Sequence, residues 1–335
     1  MIVSVQNVQT IGVITGLDLV GDALIKLPFL RALRHAFPNA QIHWITAIGS
    51  TSFANQLREV TQSLIDIIHQ QPAWLNAGSA EKPPFFDILI DTRSRRREVL
   101  PTRKMLPHKL YLCRSTFFLF SDRRPSLFAP RPKHLSDRLL QLAELAAGYM
   151  PPSNGSLQIP PRLAHLAQNI LPDGPVYVGI APGCSTPRRM WPLERFIEVA
   201  KIQLSENRIP VFILGPMESK IIAELKAAVP EAKFPLQDVN AWGEGAISIN
   251  HTLAIGPRLA LAVTNDSGPG HMMAAVGCPV LSLFGPTTPE KAAPRVAGGQ
   301  SIRAQIYGAA QMDAIPVDAV CTAINTMIQE NSPQP

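Results

Sequence analysis

Residues 264–288 of this 335-residue chain hold its densest set of groups able to do chemistry. An apolar run, Leu259 to Val263, stops at a polar, glycine-rich turn, Thr264 to His271. A short small-residue stretch follows, and then a second apolar run, Pro279 to Phe284. The pattern reads as strand, turn, helix, strand. It sets Asp266, Ser267, Gly268 and Gly270 at a helix N-terminus, where free backbone N–H groups and the helix dipole favour a phosphate or another anion. Glycine and aspartate are also ordinary turn residues, so a purely structural turn stays open at this point.

Three further turns follow apolar runs. Pro182-Gly183-Cys184-Ser185-Thr186 offers two hydroxyls, on Ser185 and Thr186, that can donate to phosphate oxygens. Arg188 and Arg189 come next, either as solvated surface groups or as partners for a diphosphate. Leu214-Gly215-Pro216-Met217-Glu218 places Glu218 where it can accept from ribose hydroxyls or simply favour a helix start. His271 either donates to phosphate or packs as a neutral ring, and Asp266 orients its loop, because its charge repels phosphate. Near the start, Gly16 to Gly21 has the spacing of a phosphate loop, but Asp22 follows where that loop needs Lys and then Ser or Thr. A carboxylate there repels a triphosphate, which excludes an NTPase, and a GxGxxG dinucleotide motif is also absent. Read alone, Asp22 is a helix-capping residue or a general base.

The combination resembles glycosyltransferase family 9, the heptosyltransferases of lipopolysaccharide core assembly. Asn265 to His271, with Pro279-Val280 and Phe284-Gly285-Pro286-Thr287, resembles that family's C-terminal signature. Val20-Gly21-Asp22-Ala23-Leu24, running through Leu27-Pro28 to Arg34, resembles its N-terminal Gly-Asp motif and following helix. Ala181 to Ser185, then Arg189-Met190-Trp191-Pro192 and Phe196, resembles the opening of its second domain. The resemblance implies an inverting transfer with Asp22 as base, and Arg189 in the place of a family lysine that neutralises the departing diphosphate. It further implies Glu218 on the ribose, Ser267 and Gly268 on phosphate, and no metal or other cofactor. Asp18 stands where the family has a small hydroxyl residue, and Gly16 where it is often basic. Those departures leave Asp18 as an acceptor contact or an alternative base.

Composition narrows the partners. The net charge is +6, with 6% aromatic residues and no nucleic-acid motif, so acidic partners are expected but nucleic acid is not. Cys113, Cys184, Cys278 and Cys321 form no CxxC pair, and the eight histidines show no HExxH spacing. A metal site or disulfide framework is therefore not expected, and a cytoplasmic protein is. No uninterrupted apolar run reaches the length of a membrane span, and the start does not read as a signal peptide. Arg95 and Arg96, within a basic group from Arg93 to Arg124, are expected to bind an acidic acceptor, which the family resemblance implies is a lipid A or Kdo-type saccharide. Phe117-Phe118-Leu119-Phe120 reads either as contact with the inner membrane surface or as a buried strand or helix segment.

The elements that must position these groups alternate. Strands are expected at Ile11–Thr15, Gln41–Ala47, Asp87–Asp91, Val176–Ile180 and Val211–Leu214, and helices near 22–37, 193–206, 218–228 and 316–330. Pro28 should kink the first helix or delay its start. Such alternation implies parallel sheets with helices on both faces. The expectation is α/β: two Rossmann-like parallel α/β/α domains facing an interdomain cleft, the GT-B arrangement. An acceptor domain, 1–150, precedes a stiff Pro-Pro linker, 151–161. A nucleotide-sugar domain, 162–315, and a C-terminal helix and tail, 316–335, follow, the helix packing back on the first domain. The activity that the family resemblance implies is heptose transfer from an ADP-activated donor to a lipopolysaccharide core acceptor. A sugar-nucleotide epimerase or hydrolase of the same fold, or an inactive nucleotide-sugar-binding homologue, would also suit these residues.

Overall fold

The computed structural model describes residues 8–76, 78–126, 128–243 and 246–331; the final residues of the expected tail, 332–335, lie outside these. The chain forms two compact units divided between Gly155 and Ser156, within the Pro-Pro stretch.

The first unit runs β1 (Thr10–Thr15), α1 (Val20–Ile25), α2 (Leu27–Ala36), β2 (Gln41–Thr46), α3 (Arg58–Thr61), β3 (Ile67–Gln70), β4 (Phe86–Asp91), α4 (Arg96–Met105), β5 (His108–Cys113) and α5 (Leu135–Ala147). Its strands pair in the order β3-β2-β1-β4-β5, all parallel. Central β1 is apolar along most of its length because helices cover both sheet faces. Gly12 is needed there, since a Cβ would fall within 2.9 Å of Phe86 and Leu89 side-chain atoms. The single helix expected over 22–37 is two helices. Pro28 has no N–H to give, so α1 ends at Ile25 and α2 restarts with Pro28 in its first turn. Lys26 occupies the break, where it is free to reach back.

The second unit runs α6 (Pro161–Ile170), β6 (Val176–Ala181), α7 (Leu193–Ser205), β7 (Arg208–Phe212), α8 (Ile222–Ala228), α9 (Ile249–Ile255), β8 (Leu261–Asn265), α10 (Gly268–Ala275), β9 (Val280–Phe284), α11 (Pro289–Ala292), β10 (Gln300–Arg303) and α12 (Val317–Asn331). The strand order is β10-β9-β8-β6-β7, again all parallel. Strand residues alternate between two cores. Val178, Phe212, Val263 and Leu281 pack with α7 and α12, whereas Tyr177, Val211, Ala262 and Val280 pack with α6, α9 and α10. The buried face of α12 (Val320, Cys321, Ile324, Met327) thus belongs to this unit's core. Glu218 lies in a 3-10 turn, Pro216–Ile221, ahead of α8 rather than opening it.

Phe117 to Phe120 is neither strand nor helix. Thr116, Phe117 and Phe118 take left-handed φ of 48°, 54° and 63°, and only Phe118 of the aromatic pair turns inward. No helix among the described residues is long and apolar enough to cross a membrane.

A histidine pair joins β2 to β3. His43 Nδ1 lies 3.1 Å from His69 Nε2 and the rings stack, with Phe86 and Trp74 edge-on. Burial lowers the pKa of both rings, and the His69 ring lowers that of His43 further. The folded chain therefore binds fewer protons here than the unfolded chain, so stability should fall as pH drops below about 6.5. Urea midpoints at pH 7.5 and 5.5 should show this decline, and it should be smaller in His69→Phe. Equal slopes in the two proteins would exclude the pair as its source.

Candidate active site

Every strand of each sheet is parallel, so all carboxyl ends share one edge. In doubly wound sheets, ligands bind beyond that edge where the strand order reverses. The reversal lies between β6 and β8 in the second unit and between β1 and β4 in the first.

In the second unit the turns after β6, β8, β9 and β7 converge at this edge. Asn265 ties the first two. Its Oδ1 accepts from the Trp191 amide at 3.0 Å and its Nδ2 donates to the Pro182 carbonyl at 2.7 Å. Arg189 crosses the same gap. Its Nη1 donates to the Asp266 carbonyl at 2.9 Å and to Oδ2 at 3.1 Å, and its Nη2 donates to Thr186 Oγ1 at 3.0 Å. Thr287, after β9, donates to the same Asp266 oxygen at 2.7 Å. Asp266 thus holds a guanidinium and a hydroxyl, while Thr186 keeps its own proton to donate. Glu218 Oε2 accepts from the Gly215 amide at 2.8 Å, and its carboxylate rests on Gly183, where a Cβ would come within 2.3 Å of Oε1.

Ser267 is the N-cap of α10, but its hydroxyl donates to the Asn265 carbonyl at 3.3 Å and does not cap the helix. Gly270 is needed for packing, since a Cβ would meet Thr264 Oγ1 at 2.8 Å. Gly268 is different: a Cβ there would find nothing nearer than 4.0 Å, so the space beside it is open. His271 is half-buried in the first turn, and Ser185 and Arg188 are exposed. The arrangement sets a helix N-terminus, two hydroxyls and one oriented guanidinium side by side, groups whose chemistry suits an anion. Among the described residues no group of three or more His, Cys, Asp or Glu could hold a metal ion.

In the first unit the turn after β1 separates its two carboxylates. Asp18 is 2% exposed and its oxygens are engaged. It accepts from Lys26 Nζ, from Thr15 Oγ1 at 3.2 Å, from Trp44 Nε1 at 2.9 Å and from Thr51 Oγ1 at 3.3 Å. Its backbone is bonded to Ser50 and Ser52. The expectation that Asp18 touches acceptor or acts as an alternative base does not fit this geometry, because no oxygen is left to meet a substrate. Asp22 lies one turn on, exposed, in the first turn of α1. It makes no side-chain capping bond, and no hydrogen bond or ion pair to its carboxylate occurs among the described residues. The capping role that Asp22 had as its alternative is therefore not the one it plays.

The basic group divides. Arg93 is bound to Asp91 at 2.6 and 2.9 Å and to Thr102 at 2.6 Å, and Arg103 pairs with Asp122. Arg123 donates to the Leu145 and Ala146 carbonyls, closing α5. A cavity of about 410 Å³ at the carboxyl ends of β2, β3 and β4 is lined by Gln71, Asn76, Arg93, Arg97 and Glu98 among others. Arg97, not Arg95 or Arg96, faces it. Arg95 and Arg96 are exposed at the N-terminus of α4, with Arg96 over the Phe120 ring.

Sequence reading passed over Lys26, Trp44 and Thr51. Two of Asp18's partners come from the neighbouring strand and loop, and no local pattern announces them. Asn265 and Thr287 stood within the C-terminal signature, but their roles needed coordinates.

Comparison with known proteins identifies the family and the fold. The family model for glycosyltransferase family 9 (heptosyltransferase) matches residues 111–314. The lipopolysaccharide core heptosyltransferase OpsX of Haemophilus influenzae is 22% identical over 288 residues, covering 83% of this chain and 80% of its own. A glycosyl transferase family 9 structure from Veillonella parvula superposes with a TM-score of 0.74 at 21% identity, covering 98% of this chain and 99% of that one. The E. coli heptosyltransferase WaaC with ADP gives 0.69 at 16% identity, covering 97% and 100%.

Proposed function

The chain belongs to glycosyltransferase family 9, with the GT-B fold, and on that premise we propose that it moves a heptose from an ADP-activated donor to an acidic saccharide of the lipopolysaccharide core. The observation that carries the reading is Arg189, held by Asp266 and Thr186 beside the open N-terminus of α10. A diphosphate seated there gains charge as it departs, and a preorganised cation stabilises that growing charge without moving. No metal is required for this step. OpsX and WaaC, by their names and the bound ADP, support the donor class.

The chemistry is a single displacement. An acceptor hydroxyl oxygen attacks the anomeric carbon as the bond to the diphosphate oxygen breaks. The hydroxyl proton passes to Asp22, the electron pair leaves with ADP, and the configuration inverts. The second unit is the donor side. The carboxyl edge of the first, with Asp22 and the cationic cavity wall at Arg97, is the acceptor side, and the work is done at the cytoplasmic face of the inner membrane.

Calorimetric titration with ADP, UDP, GDP and NAD, with and without magnesium, tests this directly. ADP should bind selectively and equally well without the metal. Arg189→Met should weaken ADP about ten- to a hundredfold, the range expected for losing a charge-assisted contact. Preference for UDP or GDP would overturn the donor assignment, and a magnesium requirement would overturn the role given to Arg189.

A further inference from the structure

We infer that the loop between β5 and α5 is a docking surface for an anionic phospholipid bilayer. The inference rests on the reading above that the acceptor is lipid-linked, and gives the first unit the means to meet it at the membrane.

Among the described residues, three large apolar side chains project from this loop: Phe117 is 74% exposed, Leu119 51% and Phe128 95%. Isolated exposed apolar residues need no explanation, but three on one loop next to clustered cations do. The backbone is built to hold them out. Three consecutive left-handed residues, Thr116 to Phe118, turn Phe117 to solvent while Phe118 anchors the loop at 7% exposure. Bulky residues adopt such φ only where surrounding contacts impose it. Arg131 stacks on the Phe117 ring at 4.4 Å, and Arg124 donates to the Leu119 carbonyl at 3.1 Å, so cation and apolar tip come as pairs.

Charge selects the occupant. Residues 114–133 carry five Lys or Arg and one acidic residue, Asp122, which Arg103 already neutralises. Arg124, Arg131 and Lys133 are exposed. Aromatic tips flanked by cations match an interface of acyl chains beneath anionic headgroups. Position agrees as well. The loop leaves the carboxyl end of β5, on the same sheet edge as Asp22, and β5 is two strands from β1. That is a backbone separation of roughly 10 Å at the spacing of neighbouring strands. A bilayer touching the loop would present headgroup-linked sugars toward the proposed base.

The test is co-sedimentation of the full chain with vesicles of mixed phosphatidylglycerol and phosphatidylcholine, and with phosphatidylcholine alone. The native chain should pellet with the anionic vesicles and be released by high salt. Removing the charges of Arg124, Arg131 and Lys133 together should weaken binding about a hundredfold. Phe117→Ser with Phe128→Ser should weaken it at least tenfold, with ADP affinity unchanged. Equal binding to neutral vesicles, no binding, or variants that bind like the native chain would overturn the inference. So would light scattering that shows a dimer lost in Phe117→Ser while vesicles are ignored, because the surface would then serve a second copy. Vesicle binding needs no turnover, so loss of the transferase reading and loss of this one are separately visible.

Discussion

Asp22→Asn is expected to lower the rate of heptosyl transfer by about 10²- to 10⁴-fold, the usual range for removing a general base. ADP affinity and thermal stability should stay near those of the native chain. The stability half follows from the structure. Asp22 caps nothing, contacts no partner among the described residues and faces solvent. Its replacement by an isosteric amide therefore breaks no bond on which the fold depends. The affinity half follows from the proposed division of labour, which places the diphosphate on the turns of the other unit around Arg189 and Asn265. A variant that turns over within tenfold of the native rate would sink the assignment of Asp22. A variant that loses ADP binding instead would place the carboxylate on the donor.

Much of this was legible from residue order, for identifiable reasons. Central strands such as β1, β6, β8 and β9 are buried on both faces and announce themselves as continuous apolar runs. The edge strands β3 and β10 do not. Ile67–Gln70 and Gln300–Arg303 are partly exposed, so their apolar content falls to that of a loop. The turns at the carboxyl ends of β6 and β8 were visible because glycine, proline and hydroxyl residues cluster where a backbone bends sharply. The fate of Asp18 was not visible. Two carboxylates in one turn look equivalent in sequence, and only the approach of Trp44 and Thr51 from the next strand and its loop distinguishes the buried one from the free one. Long-range contacts of that kind leave no local periodicity to read.

That buried carboxylate sets up the largest expected effect on stability. Asp18 has no exposed side-chain surface and Lys26 retains 15%. Lys26→Met keeps most of the apolar stem but removes the cation, leaving an uncompensated charge among Trp44, Thr15 and Thr51. Breaking a buried pair in this way costs about 3–5 kcal/mol, which for a unit of this size lowers the melting temperature by on the order of 10 °C. Removing both charges should cost much less, because the desolvated anion leaves with its partner. The double variant D18N/K26M is therefore expected to melt well above K26M, and the cycle should report strong coupling. The pair also brackets α1, with Asp18 before it and Lys26 at its end, so it fixes the helix that carries Asp22. Transfer measured below the melting range should then fall in kcat with the KM for the ADP-linked donor unchanged in K26M, and recover in part in D18N/K26M. If K26M were as stable as the native chain, the pair would be a surface contact with no positioning role. If stability fell but kcat held, the pair would support the fold of the first unit without governing the placement of Asp22.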